Sequence, residues 1–228
     1  MGVELDHVFV CCGVGAPEAD RLAAFGLAEG SPNAHPGQGT ANRRFFFHNA
    51  MLELFWVRDE REARSPTIAP ARLWERWRYR SSSYSPFGIC LRPRYARRAM
   101  SGRPAELPFA TWEWRPPYLP PGTRIDVASG TQAGEPLVFA TRFGGRPDSL
   151  PEGRRQPIVH TRGFVEVTGL RVTLPGAGPA SGAVRALHRA GVVSFERGDD
   201  HLAEIEFDGA AQGRSADFRP VVPLRFRW

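Results

Sequence analysis

Residues 35–57 read HPGQGTANRRFFFHNAMLELFWV. A polar loop of Gly, Gln, Thr and Asn runs into two apolar segments, 42–47 and 50–57, separated by His48-Asn49. The pattern predicts two strands joined by a two-residue turn. In the second segment Glu53 interrupts a run of aliphatic and aromatic residues. Alternate side chains of a strand share a face, so Met51, Glu53 and Phe55 point together. An ionised carboxylate buried there without a partner costs several kcal/mol. Something positive, an arginine or a metal ion, is therefore expected beside Glu53.

Working outward, ELDHVFVCC at 4–12 predicts a strand in which Leu5, His7 and Phe9 share a face. Ala16-Pro17-Glu18 opens a helix that Gly26 can end. The first quarter thus runs β-α-(β)-β-β. The order recurs imperfectly: a strand at 87–92, a short helix at 94–100, then strands at 109–115, 124–128 and 136–143. A third pass has a strand at 164–174, a helix at 180–190 and strands at 192–196, 201–207 and 221–227. Linkers rich in Pro, Gly, Ser and Arg divide one domain into a first module at 1–65, a helical connector at 66–86, a second module at 87–145 and a partial third at 146–228. In the connector, Trp74 and Trp77 are expected to form a packing stripe over a sheet.

With 228 residues, 42% of them hydrophobic, the chain can bury a substantial core. No run approaches the ~18 apolar residues of a membrane helix, so no membrane partner is expected. The N-terminus has no basic n-region, and Asp6 stands where a myristoylation signal needs Ser or Thr. Three cysteines, two of them neighbours, suggest reduced thiols and a cytoplasmic location. All 30 basic residues are Arg, which excludes Schiff-base, P-loop and Ser-Lys chemistry. No Gly-x-Ser-x-Gly elbow or Cys-x-x-Cys pair occurs. The net charge of +6 is scattered among acids and forms no basic stripe, so nucleic acid is not an expected partner.

A β-α-β-β-β unit used more than once, with LDHVFV at 5–10 and ANRRFFFHNAMLELFWV at 41–57, resembles the vicinal oxygen chelate superfamily, and within it the glyoxalase-like domain proteins. The likeness is good over 4–60 and moderate over 87–143. It implies an α+β fold of repeated modules whose curved mixed sheets enclose a cleft. It also implies a lyase, isomerase or dioxygenase acting on a small molecule with vicinal oxygens, assisted by one divalent metal ion. Carried over by position, His7 and Glu53 match the catalytic and metal-ligand places. On neighbouring antiparallel strands they would meet across the concave side.

The second module departs from the family pattern. The place matching His7 falls near Gly88 or Ile89, and PLVFATRF offers no acid to match Glu53. Three protein ligands are the usual minimum for a catalytic metal, so His160, Glu204 or Glu206 would have to complete the set. His160 is the expected third ligand. Two other readings stay open: a metal-free catalytic pair, or a hydrogen-bonded core His7 with Glu53 paired to Arg44. Substrate contacts are expected from His35, Gln38, Thr40, Asn42 and Arg44, where Gly37 and Gly39 let backbone approach a ligand. The alternative function is a non-catalytic binder that sequesters a small molecule on the same scaffold. A third is a module using its arginines against acidic partners. The family's pairing of modules within or between chains allows a homodimer.

Overall fold

The computed structural model describes residues 2–94, 106–176 and 178–228. The expected helix at 94–100 lies outside the described residues but for its first position. The chain forms two mixed sheets and a few short helices, an α+β architecture dominated by strands. No helix among the described residues is long and apolar enough to cross a membrane.

The first sheet has eight strands: β1 (Val3–Cys11), β2 (Asn33–His35), β3 (Thr40–Phe46), β4 (Met51–Val57), β5 (Phe87–Pro93), β6 (Thr111–Trp114), β7 (Ile125–Ala128) and β8 (Leu137–Thr141). Their spatial order is β2-β3-β4-β1-β5-β8-β7-β6. In each half the leading strand lies innermost and pairs in parallel with the last strand of that half, β1 with β4 and β5 with β8. The halves join through antiparallel β1 and β5. Parallel pairing of β1 with β4 corrects the antiparallel arrangement expected for them. Side chains from β2 and β6, the two edges, line one cavity, so the sheet curls around it.

Local chemistry explains these elements. Helix α1 (Glu18–Phe25) starts after Pro17, carries Glu18 and Asp20 in its first turn, and ends where Gly26 takes a left-handed φ of 117°. Strands β3 and β4 form the expected hairpin around His48-Asn49, closed by the Phe47 N–H donating to the Ala50 carbonyl at 2.8 Å. The polar loop holds a strand of its own, β2, which pairs Asn33 with Asn42 and His35 with Thr40.

Strand β1 is irregular. Leu5 pairs with Leu91 and His7 with Cys90, which leaves Asp6 as an extra residue, a bulge. The bulge shifts the alternation of side chains. Leu5 therefore packs against the core with Val8 and Val10, and does not share a face with His7 and Phe9 as a regular strand predicts.

Two short helices follow β4, α2 (Glu60–Ala63) and α3 (Leu73–Trp77); at the end of α3, Trp77 lies against the smaller core and donates its indole N–H to the Cys12 carbonyl at 2.8 Å. Its ring is 5.3 Å from that of Trp74. The C-terminal third forms the second sheet: β9 (Val167–Pro175), helix α4 (Gly182–Arg189), β10 (Ser194–Gly198), β11 (Leu202–Phe207), β12 (Ser215–Asp217) and β13 (Leu224–Arg227). Val172, Ile205 and Phe226 from this sheet share one core cluster with Leu52, Leu54, Ile89 and Leu91 from the back of the first. The third pass therefore covers the first sheet's rear face, and the cavity opens on the other side.

At the centre of the cavity side, Phe9 lies over Gly88, where an added Cβ would fall 2.0 Å from the ring. Gly88→Val is expected to displace Phe9 and lower stability by about 1–3 kcal/mol, measurable as a fall in the urea midpoint. An unchanged midpoint would contradict this packing.

Candidate functional site

The concave face holds a cavity of about 190 Å³. The first half supplies most of its polar wall: His7 from β1, Asn33 and His35 from β2, Gln38 from the following turn, and Glu53 from β4. The second half supplies mostly apolar wall, including Trp114, Ile125, Leu137 and Phe139. A larger hollow of about 690 Å³ elsewhere includes Arg219 and Asp217, which pair with each other at 2.6 Å.

His7 is anchored from behind. Its Nδ1 lies 2.7 Å from Oδ1 of Asp6, and Oδ2 of Asp6 accepts from the Arg92 guanidinium at 3.0 Å. Arg92 also donates to Glu4 at 2.8 Å and to the Asn49 carbonyl at 2.6 Å. The bulge permits this contact by freeing Asp6 from the β1–β5 ladder. Burial works against a charged His7, yet the Cys90 sulfur, the Glu53 carboxylate and the Asp6 hydrogen bond together hold its pKa well above the ordinary histidine value. Burial likewise opposes ionisation of Asp6, but His7 and Arg92 hold its pKa below the ordinary value.

Glu53 is 8% exposed, and no hydrogen bond or ion pair reaches its carboxylate among the described residues. Arg44 is its cross-strand partner, but the guanidinium donates to the Ser31 carbonyl at 2.8 Å and to the Ser31 hydroxyl at 3.0 Å, and lies over the Phe46 ring. Arg44 does not line the cavity. The field of Glu53 nevertheless favours the charged forms of His7, His35 and Arg44.

The loop residues divide by role. His35 lines the cavity with its ring 4.6 Å from Tyr118 and both nitrogens engaged: Nδ1 with the Thr40 hydroxyl at 2.9 Å and Nε2 with the Asn33 amide at 3.1 Å. Burial pushes its pKa down, so a neutral ring with Nδ1–H donating to Thr40 fits these partners. Gln38 donates to the same hydroxyl at 2.7 Å, and its Oε1, buried at the cavity wall, has no partner among the described residues. Thr40 is a fully buried tie between the two. Asn42 is also fully buried and does not line the cavity, and both its amide atoms lack partners among the described residues.

His160, the expected third metal ligand, is not part of this group. Its Nδ1 accepts from the Ala28 N–H at 2.9 Å, its Nε2 donates to the Phe46 carbonyl at 3.0 Å, and its ring packs on Phe47. It ties the segment before β9 to β3 and to the segment after α1. Glu204 is on the second sheet's charged face, 3.5 Å from each of Arg171, Arg225 and Arg227. Strand register places Gly88 where the second half would repeat His7. Likewise Phe139 stands beside Cys90 as Glu53 stands beside Phe9.

A metal centre does not assemble from these donors. Among the described residues, the trio whose ligand atoms lie within 4.8 Å of one another is Asp6, His7 and Cys90. Asp6 there is already bound to His7 and Arg92, and Cys90 is fully buried and does not line the cavity. His7 and Glu53 alone fall short of three ligands, and the His35 nitrogens are both engaged.

Sequence reading missed Asp6, Arg92 and Tyr118. Asp6 directly precedes His7, but on a regular strand neighbours point to opposite faces, and nothing local marks a bulge.

Because the folded-state pKa of His7 lies above its ordinary value of 6.5, its interactions stabilise the fold fully below about pH 6.5 and are lost as pH rises through the folded value. The stability gap between wild type and His7→Gln, from urea unfolding at a series of pH values, should be widest between about pH 5 and 6.5 and close at alkaline pH. A gap independent of pH would show that His7 carries no folding-linked charge.

No protein-family description matches the chain, and no curated protein does. Among solved structures it is similar to one described as "Crystal Structure of a hypothetical protein from Staphylococcus aureus", with 12% identity over 99% of both chains and a TM-score of 0.55. At that identity the likeness is one of fold.

Proposed function

We propose that this chain is a glyoxalase-like member of the vicinal oxygen chelate superfamily, and that its cavity performs acid–base chemistry on a small molecule with neighbouring oxygens. Three features favour the family: the strand order repeated in both halves, His7 on the first strand and Glu53 on the fourth, and a cavity between the halves. The chemistry rests on one observation. Glu53 is a buried carboxylate with no hydrogen-bond partner among the described residues, and it lines the same cavity as a histidine whose Nδ1 is held by Asp6.

The pair suits proton transfer between carbon and oxygen. Glu53 removes the proton from the carbon that adjoins a carbonyl. His7, as imidazolium, gives its proton to the carbonyl oxygen. The C–H bond breaks, its electrons form the C=C bond of an enediol, and the new O–H bond neutralises the oxygen. Glu53 is left protonated and His7 neutral, and reversal at either carbon returns both groups to their starting states. In this role the imidazolium stabilises developing negative charge on oxygen, the part a Lewis acid plays in metal-dependent relatives of the fold. Burial and Glu53 push the Tyr118 hydroxyl pKa up, so Tyr118 stays a neutral hydrogen-bonding group.

A second reading, a non-catalytic binder, is favoured by the second half of the wall, where Gly88 and Phe139 occupy the places that would repeat His7 and Glu53.

The two are separated by solvent-deuterium exchange into 2-hydroxyacetophenone, followed by NMR. Wild type should accelerate exchange at the carbon between the oxygens, and Glu53→Gln or His7→Gln should each lower it by about 100-fold or more. Exchange at the buffer rate in wild type would leave the binder.

A further inference from the structure

We infer that the cavity receives an organic cation, an alkylammonium or quaternary ammonium head set against Glu53 among aromatic rings. The inference rests on the site of the acid–base proposal but not on its chemistry. A cation held on Glu53 occupies the base, so such a molecule is a retained ligand if the cavity only binds and an inhibitor if it catalyses. Glu53 supplies the first argument. It is 8% exposed, and no hydrogen bond or ion pair reaches its carboxylate among the described residues. Its oxygens are open to the cavity and are not sealed in the wall as Gln38 Oε1 is. A buried carboxylate without a counter-charge is destabilising, and a bound cation removes that cost.

The protein's own cations are committed elsewhere. Arg44, across the strand, donates to Ser31, and the charge of His7 is met by Asp6 through Nδ1 at 2.7 Å. Arg92 is taken up by Glu4, Asp6 and the Asn49 carbonyl. His7 and Glu53 offer two donors, short of the three that a bound metal ion usually needs. An organic cation needs no such set. Its charge is spread over alkyl groups and is satisfied by one carboxylate and by ring faces.

The rings around Glu53 supply the second argument. Strand register sets Phe9 beside Glu53, and Phe55 follows two residues along on the same face. Both line the cavity, and their rings stack with centroids 4.8 Å apart. Trp114, Tyr118 and Phe139 continue the wall, and Phe143, 42% exposed, stands at its solvent side. Burial pushes the Tyr118 hydroxyl pKa up and the charge of Glu53 adds to it, so this ring lies within the field of the carboxylate. Aromatic faces attract cations, and more strongly where water is excluded. A neutral apolar ligand would gain the ring contacts but leave Glu53 unmatched, and an anion would face it directly. Because the cavity is open on one side, these groups fix the charged head, and the remainder of the molecule extends outward.

Choline and 3,3-dimethyl-1-butanol, which share a shape and differ in charge, test this by titration calorimetry on the wild-type protein at constant ionic strength. Choline should bind at least about tenfold more tightly than the alcohol. Glu53→Gln should remove that preference. Phe55→Leu, which keeps an apolar side chain, should weaken choline by about threefold or more without a like effect on the alcohol. Equal binding of the two probes by wild type, or no binding of choline, would overturn the inference without recourse to a variant. A choline preference that persists in folded Glu53→Gln would overturn it too, by placing the cation elsewhere. Deuterium exchange keeps the two proposals apart. A choline preference in a protein that does not exchange 2-hydroxyacetophenone supports the ligand class and removes the acid–base chemistry. Exchange that saturating choline leaves at its full rate supports the chemistry and removes the ligand class.

Discussion

In β1, Asp6 has no partner across the ladder to β5, and the rest of the site depends on that one extra residue. The bulge puts Leu5 into the large core and lets Asp6 hold His7 at 2.7 Å while Arg92 holds Asp6 at 3.0 Å. From the protein's margin to the cavity, Glu4, Arg92, Asp6, His7 and Glu53 alternate in charge. The row ends at Glu53, a carboxylate that no hydrogen bond or ion pair reaches among the described residues and that lines the cavity with His35 and Gln38.

Both halves of the first sheet share one strand order, but they divide the labour. The first contributes nearly all the ionisable wall, while the second contributes packing. Gly88 is required by the close approach of the Phe9 ring, and Phe139 sets its edge against His7 at 5.6 Å. The positions that would repeat His7 and Glu53 thus support the originals by shape. The second sheet has a different task. Its apolar face covers the rear of the first, and its outer face carries the ion pairs around Glu204.

Much of this order was legible in the sequence wherever periodicity was strong. Helix α1 with its Gly26 stop, the β3–β4 hairpin, β5 and β8 all stand where alternation and turn residues place them. The short strands β2 and β12 carry too few residues to show a period. That the C-terminal strands form a separate covering sheet depends on long-range packing, which local pattern does not encode. Glu53, His7, His35 and Gln38, which line one cavity, were legible as candidates because a polar group in or beside an apolar strand demands a reason. His160 offered the same signal for another cause, since two backbone hydrogen bonds hold it in place. Arg44 could be matched to Glu53 by register, but its reach to Ser31 depends on side-chain rotamer and so stayed hidden.

The central claim is that His7, its pKa held up by Cys90, Glu53 and the Asp6 hydrogen bond, shares a cavity with the Glu53 carboxylate that acts on it. The most direct test is the His7 imidazole pKa, followed by long-range ¹H–¹⁵N NMR in wild type and in Glu53→Gln. A protonated ring at pH 7 in wild type, with a lower pKa once the carboxylate is removed, is the expected result. A ring already neutral at pH 7, or a pKa unmoved by the substitution, would contradict the account.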